Sequence, residues 1–104
     1  MKIKLCGFTN KPTIEAAIES GVDFLGFVFH RQSPRNVDIA TVANLTKEIP
    51  NNVSKVSVTV DSSLDFLQKI NDTLNPEYFQ LHGQEDIALI EKIKNKFPEK
   101  KIIK

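Results

Sequence analysis

The sequence predicts an α/β fold: a parallel (βα)4β sheet with helices on one face only, forming half of a (β/α)8 barrel. Three observations predict it. Strand-like and helix-like hydrophobic periods alternate along the chain. The links between strands are too long for hairpins and carry helical patterns, as parallel neighbours require. The strands also read as two-faced, apolar on one side and small or polar on the other. A sheet packed by helices on both faces is apolar on both, so this pattern fits a barrel wall.

The elements follow in order. Ile3 to Cys6 is a short strand. Lys11 to Ser20 is a helix, with Asn10 as its cap, Pro12 in the first turn and Gly21 at its end. Phe24 to Phe29 is an aromatic-rich apolar run, the mark of a buried strand. Asp38 to Ile49 is helical, with Ile39, Val42, Ala43 and Leu45 at turn spacing and Pro50 as a stop. Lys55 to Val60 alternates strictly. Ser62 to Leu74 is a helix carrying the stripe Leu64, Leu67, Ile70 and Leu74, with Asp61-Ser62-Ser63 as its cap. Tyr78 to His82 is the fourth strand. Gln84 to Phe97 is the fourth helix, with Ile87, Ile90, Ile93 and Phe97 on one face; its stretch KIKNKF reads as a solvated helix face with a core stripe, not a basic binding patch. Lys101 to Lys104 opens a fifth strand. The expected helix-side face holds Ile3, Leu5, Val56, Val58, Val60, Phe79 and Leu81. The expected inner face holds Lys4, Cys6, Ser57, Thr59, Asp61, Gln80 and His82.

The 104 residues read as one domain. Fourteen Lys plus Arg against thirteen Asp plus Glu leave a charge of +1, which gives no electrostatic reason to expect nucleic acid or a membrane surface. The one Cys cannot form an internal disulfide, and no Cys/His pair has zinc spacing. The longest apolar run, Phe24 to Phe29, is too short for a bilayer, and the first residues lack the long apolar region expected of a signal peptide. The expectation is a cytoplasmic protein.

The run Lys4-x-Cys6-Gly7-x-Thr9, then DFLGFVF, then Ser33-Pro34-Arg35-Asn36-Val37, then FQLHG resembles phosphoribosylanthranilate isomerase of tryptophan biosynthesis, in that family's order and spacing. The resemblance implies the N-terminal half of a TIM (β/α)8 barrel. It implies an aldose–ketose (Amadori) rearrangement of N-(5-phosphoribosyl)anthranilate, a phosphosugar, with no cofactor or metal. It makes Cys6 the general base that takes the C2 proton, and puts Arg35 and His82 at the substrate. A thiol at a strand carboxyl end sits where such barrels place chemistry, near helix N-termini that favour thiolate.

The same resemblance implies a general-acid Asp ending strand six and phosphate-holding loops after strands seven and eight. These 104 residues hold neither, so the chain alone is expected to be inactive or very weak. Strand three departs from the family's V-G-V-F-V at Ser57 and Thr59, read here as inward positions. A complementing C-terminal half, or a homodimer pairing its open edges, would complete the barrel. In a two-copy ring, the partner's strand two would take the slot of strand six and offer His30 as a substitute acid. The alternative is a non-catalytic truncated relative. The residues alone leave other readings open: Cys6 as a small buried hydrophobe, Arg35 as a solvated loop residue, and His82 as a helix-entry group bonded to backbone.

Overall fold

The computed structural model describes residues 3–30, 36–47 and 49–104. Five strands and four helices alternate: β1 Lys4–Cys6, α1 Lys11–Glu19, β2 Phe24–Phe29, α2 Ile39–Leu45, β3 Ser54–Thr59, α3 Leu64–Thr73, β4 Tyr78–Leu81, α4 Ile87–Lys96 and β5 Lys101–Ile103. The strands form one parallel sheet in the order β1-β2-β3-β4-β5. Parallel crossovers are right-handed. With strand order never reversing, four right-handed crossovers put all four helices on the same face.

Helix boundaries follow side-chain caps. Asn10, Asp38, Ser63 and Asp86 each accept a backbone N–H three residues on, from Thr13, Thr41, Phe66 and Leu89, satisfying donors the first turn leaves free. α2 stops at Leu45, short of the expected Ile49. There the Thr46 hydroxyl donates to the Val42 carbonyl at 2.8 Å, a local bond that competes with continuing the helix.

The covered face is the core. Leu25, Phe27, Phe29, Phe79 and Leu81 are buried on it against helix residues that include Ile14, Val42, Leu67, Ile70 and Ile93. Phe29 meets Phe66 of α3 edge-on with centroids 6.2 Å apart, and Phe79 meets Phe97 at 5.0 Å. Ile87 corrects the expected α4 stripe: it is 76% exposed, while Leu89 and Ile90 pack against the core beside Ile93.

Strand three corrects a second expectation. Neighbours in register on parallel strands point to the same side. Ser57 is in register with Phe27 and Phe79, and Thr59 with Phe29 and Leu81. So Ser57 and Thr59 lie on the helix side, and Val56 and Val58 on the other. The alternation could not decide this, because both sets are small β-formers. Volume decides it: phenylalanines flank Ser57 on both neighbouring strands, and a small residue between them lets the layer close at native density. Ser57 and Thr59 are buried, and neither hydroxyl has a hydrogen-bond partner.

The uncovered face is curled. Lys4 Nζ donates to Gln80 Oε1. Their strands, β1 and β4, lie three gaps apart, about 14 Å across a flat sheet at ~4.8 Å per gap. That the side chains meet is a mark of concave curvature on this side.

Candidate functional site

The site is built on the carboxyl ends of β1, β2 and β4. Cys6 closes β1 and is exposed, so it is not a small buried hydrophobe. It pairs with Gly26 of β2, and a Cβ at residue 26 would sit 2.3 Å from the Cys6 Sγ. The glycine therefore leaves the space into which the thiol leans. Gly7 follows with φ 86 and donates its N–H to the Gly26 carbonyl at 3.0 Å. A left-handed residue is cheap only for glycine, and here it turns the chain off β1 toward α1. Lys4, Cys6, Thr9, Asn10 and Thr13 line an open hollow of about 500 Å³ beside the thiol.

His82 follows β4, is exposed, and donates its backbone N–H to the Thr59 carbonyl at 2.8 Å. The alternation of β4 puts it on the concave side with Gln80. Cys6 shares that side through its pairing with Gly26, since Gly26 pairs with Val56 and Val56 with Tyr78. His82 stands four residues beyond Tyr78. In an eight-stranded barrel of shear 8 the register climbs about one residue per strand, so three strands absorb most of that offset. Both groups thus belong to one rim and one face. His30 follows β2, half-buried, and the same alternation carries it to the concave side with Gly26 and Val28. Arg35 lies outside the described residues.

A cluster of bonds beside His82 escaped the sequence reading. Glu85 has a side chain only 1% exposed. Its carboxylate accepts N–H bonds from Asp61 at 2.9 Å and Gly83 at 3.0 Å, and pairs with Lys104 Nζ at 3.0 Å. Lys104 Nζ also donates to the Gly83 carbonyl at 2.6 Å. Asp61, with φ 50, accepts the Gln84 N–H at 2.8 Å. Asp61 was expected to help cap α3, but Ser63 does that. Burial alone would push the Glu85 carboxyl up. The N–H bonds and the Lys104 ammonium outweigh it and hold Glu85 below its ordinary value. The only local signal was a carboxylate two residues after a glycine, which does not say that it turns inward.

Charge at the other end of the sheet is of a different kind. Lys100 donates to Asn75 Oδ1 at 2.5 Å, and burial pushes its amine down against the opposing pull of Glu77 and Glu99. The amino ends of barrel strands serve stability. Among the described residues no three His, Cys, Asp or Glu side chains converge as metal ligands, and no helix is long and apolar enough to cross a membrane.

Comparison with known proteins identifies the pattern. The family model described as N-(5'phosphoribosyl)anthranilate (PRA) isomerase matches residues 3–104. An N-(5'-phosphoribosyl)anthranilate isomerase of Bradyrhizobium diazoefficiens is 38% identical over 95 residues, 91% of this chain and 43% of that protein. One from Rhodopseudomonas palustris is 40% identical over 92 residues, 88% of this chain and 43% of that protein. The crystal structure of phosphoribosyl anthranilate isomerase from Thermotoga maritima superimposes with TM-score 0.87 at 32% identity, covering 91% of this chain and 46% of that one. A phosphoribosyl anthranilate isomerase in complex with reduced 1-(o-carboxyphenylamino)-1-deoxyribulose 5-phosphate gives TM-score 0.88 at 31% identity, covering 92% of this chain and 50% of that one. The chain spans about 43% of the length of the curated relatives named here.

Proposed function

The chain belongs to the N-(5'-phosphoribosyl)anthranilate isomerase family, and on that premise we propose that it supplies the base-bearing half of a composite site for the Amadori rearrangement of N-(5-phosphoribosyl)anthranilate. Cys6 takes the C2 proton of the ring-opened, N-protonated imine. The C2–H electron pair becomes the C1–C2 double bond as the C1–N double-bond pair returns to nitrogen, giving an enolamine; C1 then takes up a proton as the C2 hydroxyl loses one, which gives the aminoketose. His82 contacts the substrate from the same rim, and the family resemblance makes Arg35 a further substrate contact. The acid that opens the furanose ring and the donors that hold the phosphate come from a complementing C-terminal half, which pairs with the open edges of β1 and β5.

The observation that carries this reading is the shared address of Cys6 and His82: one uncovered face, at the carboxyl ends of parallel strands. The exposed apolar side chains of Ile3 just before β1, Leu5 on β1 and Ile103 on β5 support lateral completion. The test mixes the chain with a C-terminal half made from the Rhodopseudomonas palustris relative and follows substrate loss. Turnover should appear only in the mixture, and Cys6→Ser should lower it by roughly 10²–10⁴-fold, the usual worth of a proton-transfer group. Turnover that is absent from the mixture, or indifferent to Cys6→Ser, would refute the reading.

The same exposed edges favour a second reading, in which two copies close the ring and His30 of the partner copy supplies the acid. Sedimentation separates the two. A stable dimer whose turnover falls with His30→Ala supports the second. A monomer, or a dimer without turnover, leaves this chain without activity of its own.

A further inference from the structure

We infer that Glu85 is a positioning residue for His82, a buried carboxylate that fastens the carboxyl ends of β3, β4 and β5 so that the imidazole faces the rim. The inference rests on the substrate role proposed for His82. The His82 backbone is held on both sides. Its own N–H donates to the Thr59 carbonyl of β3 at 2.8 Å. In the next residue, the Gly83 N–H is taken by Glu85 Oε1 at 3.0 Å and the Gly83 carbonyl by Lys104 Nζ at 2.6 Å. Glu85 Oε2 takes the Asp61 N–H at 2.9 Å, and Asp61 Oδ1 returns a bond to the Gln84 N–H at 2.8 Å. Gly83 packs so tightly on Asp61 that a Cβ there would lie 2.7–2.8 Å from its Cγ, Oδ1 and N. One carboxylate thus binds three strand ends together, and the His82 N–H and both the N–H and the carbonyl of Gly83 have fixed partners.

Burial makes this arrangement demanding. With a side chain 1% exposed, Glu85 cannot exchange its partners for water, so removing the charge leaves donors unpaired. A glutamine at residue 85 keeps the shape but turns an amide donor toward a site made only of donors.

The chain's two histidines make the test self-controlled. His30 follows β2 and takes no part in the Glu85 bonds. Ring resonances of both are recorded in the ligand-free chain, in E85Q and in K104M; Lys104 has a side chain 45% exposed, so its removal spares the core. The expected result is a shifted and broadened His82 resonance in E85Q, a smaller change of the same sign in K104M, and an unmoved His30. Equal movement of both histidines would mean general loosening and would overturn the inference, as would a His82 resonance that stays put. Its fate is separable from that of the proposed function. If H82A leaves turnover of the completed barrel unchanged while E85Q still moves the His82 resonance, the positioning stands and the substrate role falls.

Discussion

Replacing Thr59 by valine should stabilise the protein. Thr59 is 1% exposed on the helix side of β3, and its hydroxyl has no hydrogen-bond partner. A polar group buried without a bond costs about 1–3 kcal/mol in mutational series. Valine exchanges the hydroxyl for a methyl of nearly the same shape, so that cost disappears, and the added methyl contributes up to about 0.8 kcal/mol of burial. The expected gain is therefore about 1–3 kcal/mol. For a domain near this size each kcal/mol moves Tm by about 4–8 °C, and the urea midpoint should rise with an unchanged slope. The unbonded hydroxyl is at stake. Were the Thr59 hydroxyl hydrogen-bonded or open to water, the same change would bring no gain beyond about 0.5 kcal/mol. A midpoint that fails to rise would refute the reading of that hydroxyl as buried and unbonded. Ser57→Ala should act in the same direction, and the double variant need not be additive because the two share one face and common neighbours.

Three further outcomes follow from close contacts and charge. Gly26→Ala would place a Cβ 2.3 Å from the Cys6 Sγ, so it should swing the thiol off β2, change the alkylation rate of the single cysteine, and cost about 1–3 kcal/mol; an unaltered rate would mean the thiol does not rest there. Gly83→Ala would meet Asp61 atoms at 2.7–2.8 Å, the backbone N among them, and should destabilise by about 1–3 kcal/mol in urea unfolding, whereas Gly21→Ala, with nothing within 4 Å, should show only the cost of its φ of 83. Glu85 is held below its ordinary value of 4.5, so its bonds contribute stability in full above about pH 4.5 that is lost as pH falls through the lower folded value; the E85Q variant should show a flatter acid decline, and equal slopes for the two proteins would remove Glu85 from the linkage.

Much of the fold was legible because period and chemistry agreed. The β2 run Phe24–Phe29 could only be a buried strand, and the α3 stripe lies where a 3.6-residue period puts it, with Leu67, Ile70 and Leu74 all buried. The thiol at the end of β1 was legible as a rim group because parallel strands direct their carboxyl ends to one side. Two things were not legible, each for a physical reason. The facing of β3 depends on what stands beside it, and neighbours three-dimensionally adjacent to Ser57, Phe27 and Phe79, are far from it in sequence. The partners of Glu85 are likewise contributed by three separate strand ends, and a buried acid reads locally like a surface one. Ile87 misled in the opposite direction. It has the spacing of a core position, yet it begins α4 ahead of the turn that packs.

The concave face explains how half a barrel can keep a rim in shape. A whole barrel fills its interior with layers drawn from alternate strands, and this wall already carries part of such layers. Phe24 of β2 and Tyr78 of β4 meet edge-on at 5.3 Å, two even strands contributing to one level, with the Lys101 ammonium 5.9 Å from the Tyr78 ring. Lys4 reaches over to Gln80, and beneath them Val56 is fully buried although no helix covers that side. The floor under the rim is thus made of the wall's own side chains, and curvature is maintained from inside as well as by helices outside. What remains open is lateral. Leu5 of β1 and Ile3 just before it, on the helix side, are left 44% and 45% exposed. Completion by a second half would therefore add contacts at the edges and groups at the rim, without rebuilding the surface from which Cys6 and His82 project.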